Sequence, residues 1–209
     1  MYRPAAFAED RPKVLLAAVQ RIGLGAFVTP GADDIAITHA PVVARLDGAR
    51  MILETHVARA NPHWRTAGGG TPSAAIFQGP HSYVTPSWYP SKAEHGKVVP
   101  TWSYVTVHAH GPLEAIEDEA WLRAHLDALT AVNEAGHETP WAVTDAPARF
   151  IEALGRGIVG LRLVADRVEG AWKINQHKAA PDLEGTRAGL AAAGPMGAAL
   201  VGELAERSN

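Results

Sequence analysis

HVARANPHWR, residues 56–65, gathers Arg59, Asn61, His63 and Arg65 around an Asn-Pro turn. Guanidinium groups and the exposed N–H groups of a turn both donate to anionic oxygens, which is the chemistry a phosphate needs. A solvated turn with Trp64 packed beneath it accounts for the same residues without a ligand. FQGPHSYVTPSWYPSK, residues 77–92, holds Tyr83, Trp88 and Tyr89 among Pro80, Pro86 and Pro90 and ends at Lys92. Its aromatics could wall a planar ligand and Lys92 could meet an anionic group, and they could equally cover the core or a subunit interface. Proline cannot donate to a sheet ladder, so the three prolines predict a stretch outside any central sheet position.

VVPTWSYVTVHAHG, residues 98–111, puts His108 and His110 on one face of a strand. Two imidazoles so placed could ligate a metal, with His81, His56 or an acidic residue completing the set. No third ligand stands at a recognisable spacing, which favours hydrogen-bonded strand histidines. GAWKINQHK, residues 170–178, adds Lys173 and Gln176, able to meet an anion or the carbonyl edge of a heterocycle. Four of the six tryptophans lie in these four stretches. Ser87 and Ser103 sit among histidines, yet spacing assembles no Ser-His-Asp set. Asp33 with Asp34, and Glu117 to Glu119, read as turn and helix-start acids.

The elements that must position these residues follow from periodicity. Val14, Leu15, Ala18, Val19 and Ile22 predict an amphipathic helix, with Asp10 as N-cap, Pro12 in its first turn and Gly23 as its stop. Residues 24–29, 35–44 and 51–56 predict strands joined by tight turns, the Asp47-Gly48 pair giving the strongest hairpin signal. Residues 74–78 and 98–110 predict two more. Leu122, Leu126, Leu129 and Val132 form a helical stripe from Asp118 to near Gly136. Asp145 is placed as the cap of a short helix through Phe150, Ile151 and Leu154. Residues 158–175 predict one long strand, and the Ala- and Gly-rich tail a helix. Strands joined by hairpins, with helices at the start, after the main strand group and at the end, suggest an antiparallel barrel with peripheral helices.

The chain has 209 residues, a formal net charge of -3 and no cysteine. Disulfides, thiolate nucleophiles and cysteine metal sites are thereby excluded, and a cytoplasmic location is expected. The acidic balance and the lack of a helix-turn-helix pattern argue against a broad DNA-binding surface. No signal-peptide layout, membrane-length apolar run, GxGxxG, Walker, HExxH or GxSxG motif is present.

Taken together, MYRPAAF, THAPVV at 38–43, HVARANPHWR, FQGPHSYVTPSWYPSK, VVPTWSYVTVHAHG, PWAVTDAP at 140–147 and GAWKINQ resemble the PaiB-like, FMN-binding negative transcriptional regulator family. Its fold is related to the flavin-binding split barrel of pyridoxamine phosphate oxidases. The resemblance runs to about residue 190. It implies a mainly β, antiparallel split barrel of one domain, 1–209, with a helical tail from about 182, forming a homodimer with FMN at the subunit interface. The matching positions, which the resemblance puts forward as cofactor-binding, are His56, Arg59, Asn61 and Trp64; Gln78, Ser87, Trp88, Tyr89 and Lys92; Thr101 and Trp102; and Lys173 and Gln176. Ser103 stands where the family commonly has Asn, and INQHK replaces an LSQN-like ending. No catalytic residue is assigned and no metal is expected. Three function readings follow: a flavin-dependent redox protein, a non-catalytic regulatory or interaction protein acting on transcription, with DNA or a regulatory protein as partner, and a His-dependent metalloprotein.

Overall fold

The computed structural model describes residues 1–207. Among the described residues nine strands carry the fold: β1 (Ala8–Glu9), β2 (Leu24–Pro30), β3 (Ile35–Pro41), β4 (Val43–Asp47), β5 (Arg50–Ala58), β6 (Thr71–Val84), β7 (Thr101–Ile116), β8 (Ile158–Val164) and β9 (Arg167–Lys173). The helices are α1 (Pro12–Ile22), α2 (His63–Thr66), α3 (Ser91–His95), α4 (Glu119–Glu134), α5 (Ala148–Gly155), α6 (Ala180–Ala192) and α7 (Pro195–Arg207). The strands pair in the order β3-β2-β6-β7-β8-β5-β4, with β9 also on β7 and β1 on β9. The registered ladders are antiparallel, as the mainly β split-barrel class requires. None of the described helices is long and apolar enough to cross a membrane.

The chain forms two compact units that alternate along the sequence. One comprises residues 11–77 and 108–168. Within it, β5 pairs with β4 through the Asp47↔Arg50 hairpin and with β8 from Ile52↔Val164 to Ala58↔Ile158. Its core is apolar: Leu15, Val19, Phe27, Leu53, Phe77, Leu113, Leu161 and Leu163 are all buried. The other comprises residues 1–10, 78–107 and 169–209. Val84, Tyr89, Val105, Trp172, Ile174, Leu190 and Leu200 are buried there. Along β7 the pleat alternates. Ser103, Val105, Val107 and Ala109 are buried, while Trp102, Tyr104, Thr106, His108 and His110 are partly or well exposed.

Several boundaries differ from the sequence expectation for local reasons. Asp10 does not cap α1; its carboxylate pairs with Arg3 at 2.7 Å, and Arg11 holds the cap position without capping the helix through its side chain. The run 35–44 is two strands, because the chain breaks at Val42, whose N–H donates to Gly23 O. The run 158–175 is likewise two, β8 and β9, parted at Ala165 and Asp166, whose N–H groups donate to Met51 and His110. Asp145 does not cap α5. It closes the preceding 3-10 turn by accepting from Ala142 N, and Pro147 precedes the helix. Pro80 lies inside β6, between β2 and β7 in strand order, against the expectation that its stretch avoids a central position. The ladder to β2 ends at Ile76, so that edge makes no demand on the missing N–H of Pro80.

Candidate functional site

In the second unit described above, residues of β6, β7 and β9 bring an aromatic face together. Trp102 is 54% exposed although it lies near the start of a 16-residue strand. Its ring lies 6.3 Å from that of His81 and 6.0 Å from that of Tyr83, which is itself 47% exposed. Lys173 donates to Thr101 Oγ1 at 2.8 Å and holds its ammonium 5.8 Å from the Tyr104 ring. Of the residues that the resemblance puts forward, Thr101 and Lys173 are bonded to each other beside Trp102, and Gln78 is exposed on β6 of the same unit. Tyr83 and Tyr104 belong with them. Tyr104 went unselected, although it has the same parity as Trp102 along β7.

The rest of the aromatic loop is differently employed. Tyr89 is 3% exposed, its hydroxyl accepting from Asn175 Nδ2 at 3.0 Å, and burial raises its pKa. Asn175 sits at φ 64°, a left-handed conformation held by that bond and by a second to Thr186. Trp88 lies against α6 at Gly185 and Gly189, where any side chain would run into its ring and carbonyl. Asp182, in the first turn of α6, accepts from Ser91 Oγ at 2.7 Å and from Ser91 N at 3.1 Å; these bonds hold its carboxyl below the ordinary range. Lys92 is exposed and donates to Ser87 Oγ at 3.2 Å. Gln176 is occupied by backbone, accepting from Ile174 N and donating to Ala6 O and Trp172 O.

The turn 56–65 belongs to the unit containing residues 11–77. Arg59 is a staple: it pairs with Glu117 and donates to Arg156 O at 3.0 Å and Ile158 O at 3.2 Å. Arg59 also lines a cleft of about 600 Å³ together with Leu122, Leu126, Ile151 and Arg156. Asn61 accepts from His63 N at 3.0 Å and donates to Thr38 Oγ1 at 3.1 Å. Trp64 donates to Arg59 O at 2.9 Å, and the exposed Arg65 lays its guanidinium 4.6 Å over the Trp64 ring. The cation this turn presents outward is therefore Arg65.

His56 faces α4. Its Nδ1 lies 3.1 Å from Nε2 of His125, whose ring stacks on Trp121 at 5.2 Å and 7°. Gly160, opposite His56 in the β5–β8 ladder, makes this possible, because any side chain there would strike the Trp121 ring. Burial lowers the pKa of His56, and burial with the neighbouring His56 pushes His125 down to about 4. Sequence reading missed His125. Its place one turn beyond Leu122 was the available signal, hidden because a histidine does not read as core. His108 and His110 share a face with ring centroids 6.2 Å apart. Ser103 is fully buried and its hydroxyl has no hydrogen-bond partner among the described residues, which removes it as a nucleophile.

Residues 1–167 match the family described as "Putative FMN-binding domain". The protease synthase and sporulation protein PAI 2 of Bacillus subtilis is 28% identical over 178 residues, covering 85% of this chain and 83% of its own length. An uncharacterized protein of Emericella nidulans is 33% identical over 126 residues, 55% of this chain. The chain spans about half the length of that fungal relative. Among solved structures, an FAD and heme binding protein from Mycobacterium smegmatis superposes with a TM-score of 0.58 at 18% identity, covering 79% of this chain and 73% of that one. The flavocytochrome Anf3 from Azotobacter vinelandii gives 0.56 at 14% identity, with 82% and 72% covered. At such identities these two speak to the fold. The match over four-fifths of the sequence decides the rest: the chain belongs to the FMN-binding domain family.

Proposed function

We propose that the protein is an FMN-binding redox protein that assembles as a homodimer. The observation that carries the reading is the exposed aromatic face of Trp102, Tyr83 and His81 in a chain of this family. Water-exposed aromatic rings on a strand are an unfavourable use of apolar surface unless something planar or another subunit covers them. An isoalloxazine is planar and apolar on its faces, with polar edges. Trp102 and Tyr83 would hold the ring faces, and the ammonium of Lys173, fixed by Thr101, would stand near a ring edge that accepts hydrogen bonds. The turn 59–65 of the other unit offers separate chemistry, a surface for an anionic phosphate with Arg65 as its cation. Hydride or electron transfer is chemistry that the flavin supplies when bound; the chain orients it and sets the polarity around it.

The test is FMN titration followed by flavin fluorescence, together with the visible spectrum of freshly purified protein. Micromolar or tighter binding is expected, and Trp102→Ala should weaken it by about tenfold, the effect of roughly 1.4 kcal/mol of lost stacking. Absence of quenching at millimolar FMN would sink the reading.

A regulatory role has one specific support, the sporulation-protein name of the Bacillus relative that the chain covers almost throughout. It is compatible with flavin binding, and the electrostatics of the whole chain bear on its DNA version.

A further inference from the structure

A buried line of side chains runs behind the turn 59–65. Ser73 Oγ donates to Thr71 O at 2.9 Å, so its single hydrogen is committed. The 2.8 Å contact between Thr29 Oγ1 and Ser73 Oγ must then be donated by Thr29. With the Thr29 hydrogen used, the 2.8 Å contact to Nε2 of His63 is donated by the imidazole. A neutral ring protonated at Nε2 leaves Nδ1 as an acceptor, and Thr38 Oγ1 donates to it at 2.9 Å. Thr38 in turn accepts from Asn61 Nδ2 at 3.1 Å, and Asn61 Oδ1 accepts from His63 N at 3.0 Å. Every hydrogen is used once and all point the same way. His63 is 2% exposed and Thr29 fully buried, so an unmade bond here has no water to replace it.

We propose that His63 is a positioning residue: held as the neutral Nε2–H tautomer, it completes a one-directional hydrogen-bond chain that fixes Asn61, and with it the turn 59–65, in the shape that receives an anionic group. The assignment of the anion rests on the reading of this turn as a phosphate surface. The chain itself does not. Burial lowers the basicity of His63, in keeping with a neutral ring. The imidazole acts through Thr38, which holds the Asn61 side chain, while the His63 N–H holds Asn61 Oδ1 directly.

Two measurements on the full-length protein decide it. With histidines labelled in 15N, NMR at neutral pH should show His63 bare at Nδ1 and protonated at Nε2; an Nδ1–H tautomer or an imidazolium overturns the chain. FMN titrations then compare His63→Gln with His63→Leu. A glutamine amide can donate toward Thr29 and accept from Thr38, so affinity should stay within about threefold of the native protein, whereas leucine should lose about tenfold. Native affinity in His63→Leu overturns the positioning role. Should that variant not fold by circular dichroism, Thr38→Val against Thr38→Ser asks the same question, with loss expected for valine and retention for serine, and equal native affinity in both overturning the role. A native protein that binds no FMN removes the phosphate reading of the turn, and the tautomer alone then decides the hydrogen-bond chain.

Discussion

At His125 the protein has placed an imidazole where water does not reach. The residue is 4% exposed, stacked on Trp121 and bonded to His56. In the unfolded chain it takes a proton near its ordinary 6.5; in the fold it does so only at about 4. Between those values the unfolded chain binds more protons, so stability falls as pH drops. The loss begins near pH 6.5 and is complete below 4, reaching about 3 kcal/mol at 1.36 kcal/mol per unit. Urea midpoints measured from pH 7 to 4 should therefore decline, and His125→Gln should flatten the slope across that window; an unchanged slope would refute the assignment. The fate of Arg59 shows what residue types alone conceal. The sequence marks a guanidinium beside an Asn-Pro turn, but only the fold reveals Glu117, Arg156 and Ile158 converging on it from positions 58 to 99 residues away. Trp102, by contrast, enters through the family resemblance, and its exposure follows the alternation of its own strand.

Among the elements, α6 decides what the aromatic loop can do. The residue types in stretch 77–92 leave a ligand wall, a core cover and a subunit interface equally open; in the fold Trp88 and Tyr89 are packed by α6, and only Tyr83 of its aromatics stays well exposed. Spacing within the loop could not show this, because the partners lie about 90 residues away in an Ala- and Gly-rich tail with little amphipathic pattern. Gly185 and Gly189, one turn apart, are what let the helix approach. Alanine at 189 gains about 1 kcal/mol of helix propensity but forces the Trp88 ring aside, at about 1–3 kcal/mol. Gly202 of α7 has open space around it, so alanine there brings the propensity gain alone. Guanidinium denaturation should accordingly rank Gly202→Ala above the native protein and Gly189→Ala below it, with a shift in tryptophan emission in the latter. The reverse order would show that Trp88 does not depend on that contact. Helices α1 and α4 were well marked because their apolar positions are local, although the cap expected for α1 was not met, whereas the breaks at Val42 and Ala165 answer to hydrogen bonds to Gly23 and Met51, distant in sequence.

For the whole molecule, charge bears on whether regulation could act through DNA directly. The chain carries 19 basic and 22 acidic side chains. Arg3, Arg45, Arg59, Arg123 and Arg162 are each committed to a carboxylate, Asp10, Glu54, Glu117, Asp127 and Glu114 respectively. Such exposed pairs add little stability, but each cancels a charge that a phosphate backbone would have to recruit. Five of the nineteen basic side chains are thus engaged with carboxylates, which lowers the cationic charge from which non-specific DNA affinity is built. Mobility-shift titrations at about 50 and 200 mM salt should show no complex at the higher salt and no preference between genomic and random fragments. A retarded band on one fragment that survives 200 mM salt would restore direct repression. The same titration repeated with FMN-loaded protein separates the remaining possibilities: if cofactor creates binding, the flavin state gates a DNA surface, and if it does not, any regulatory influence would have to pass through a flavin-dependent reaction or a protein partner.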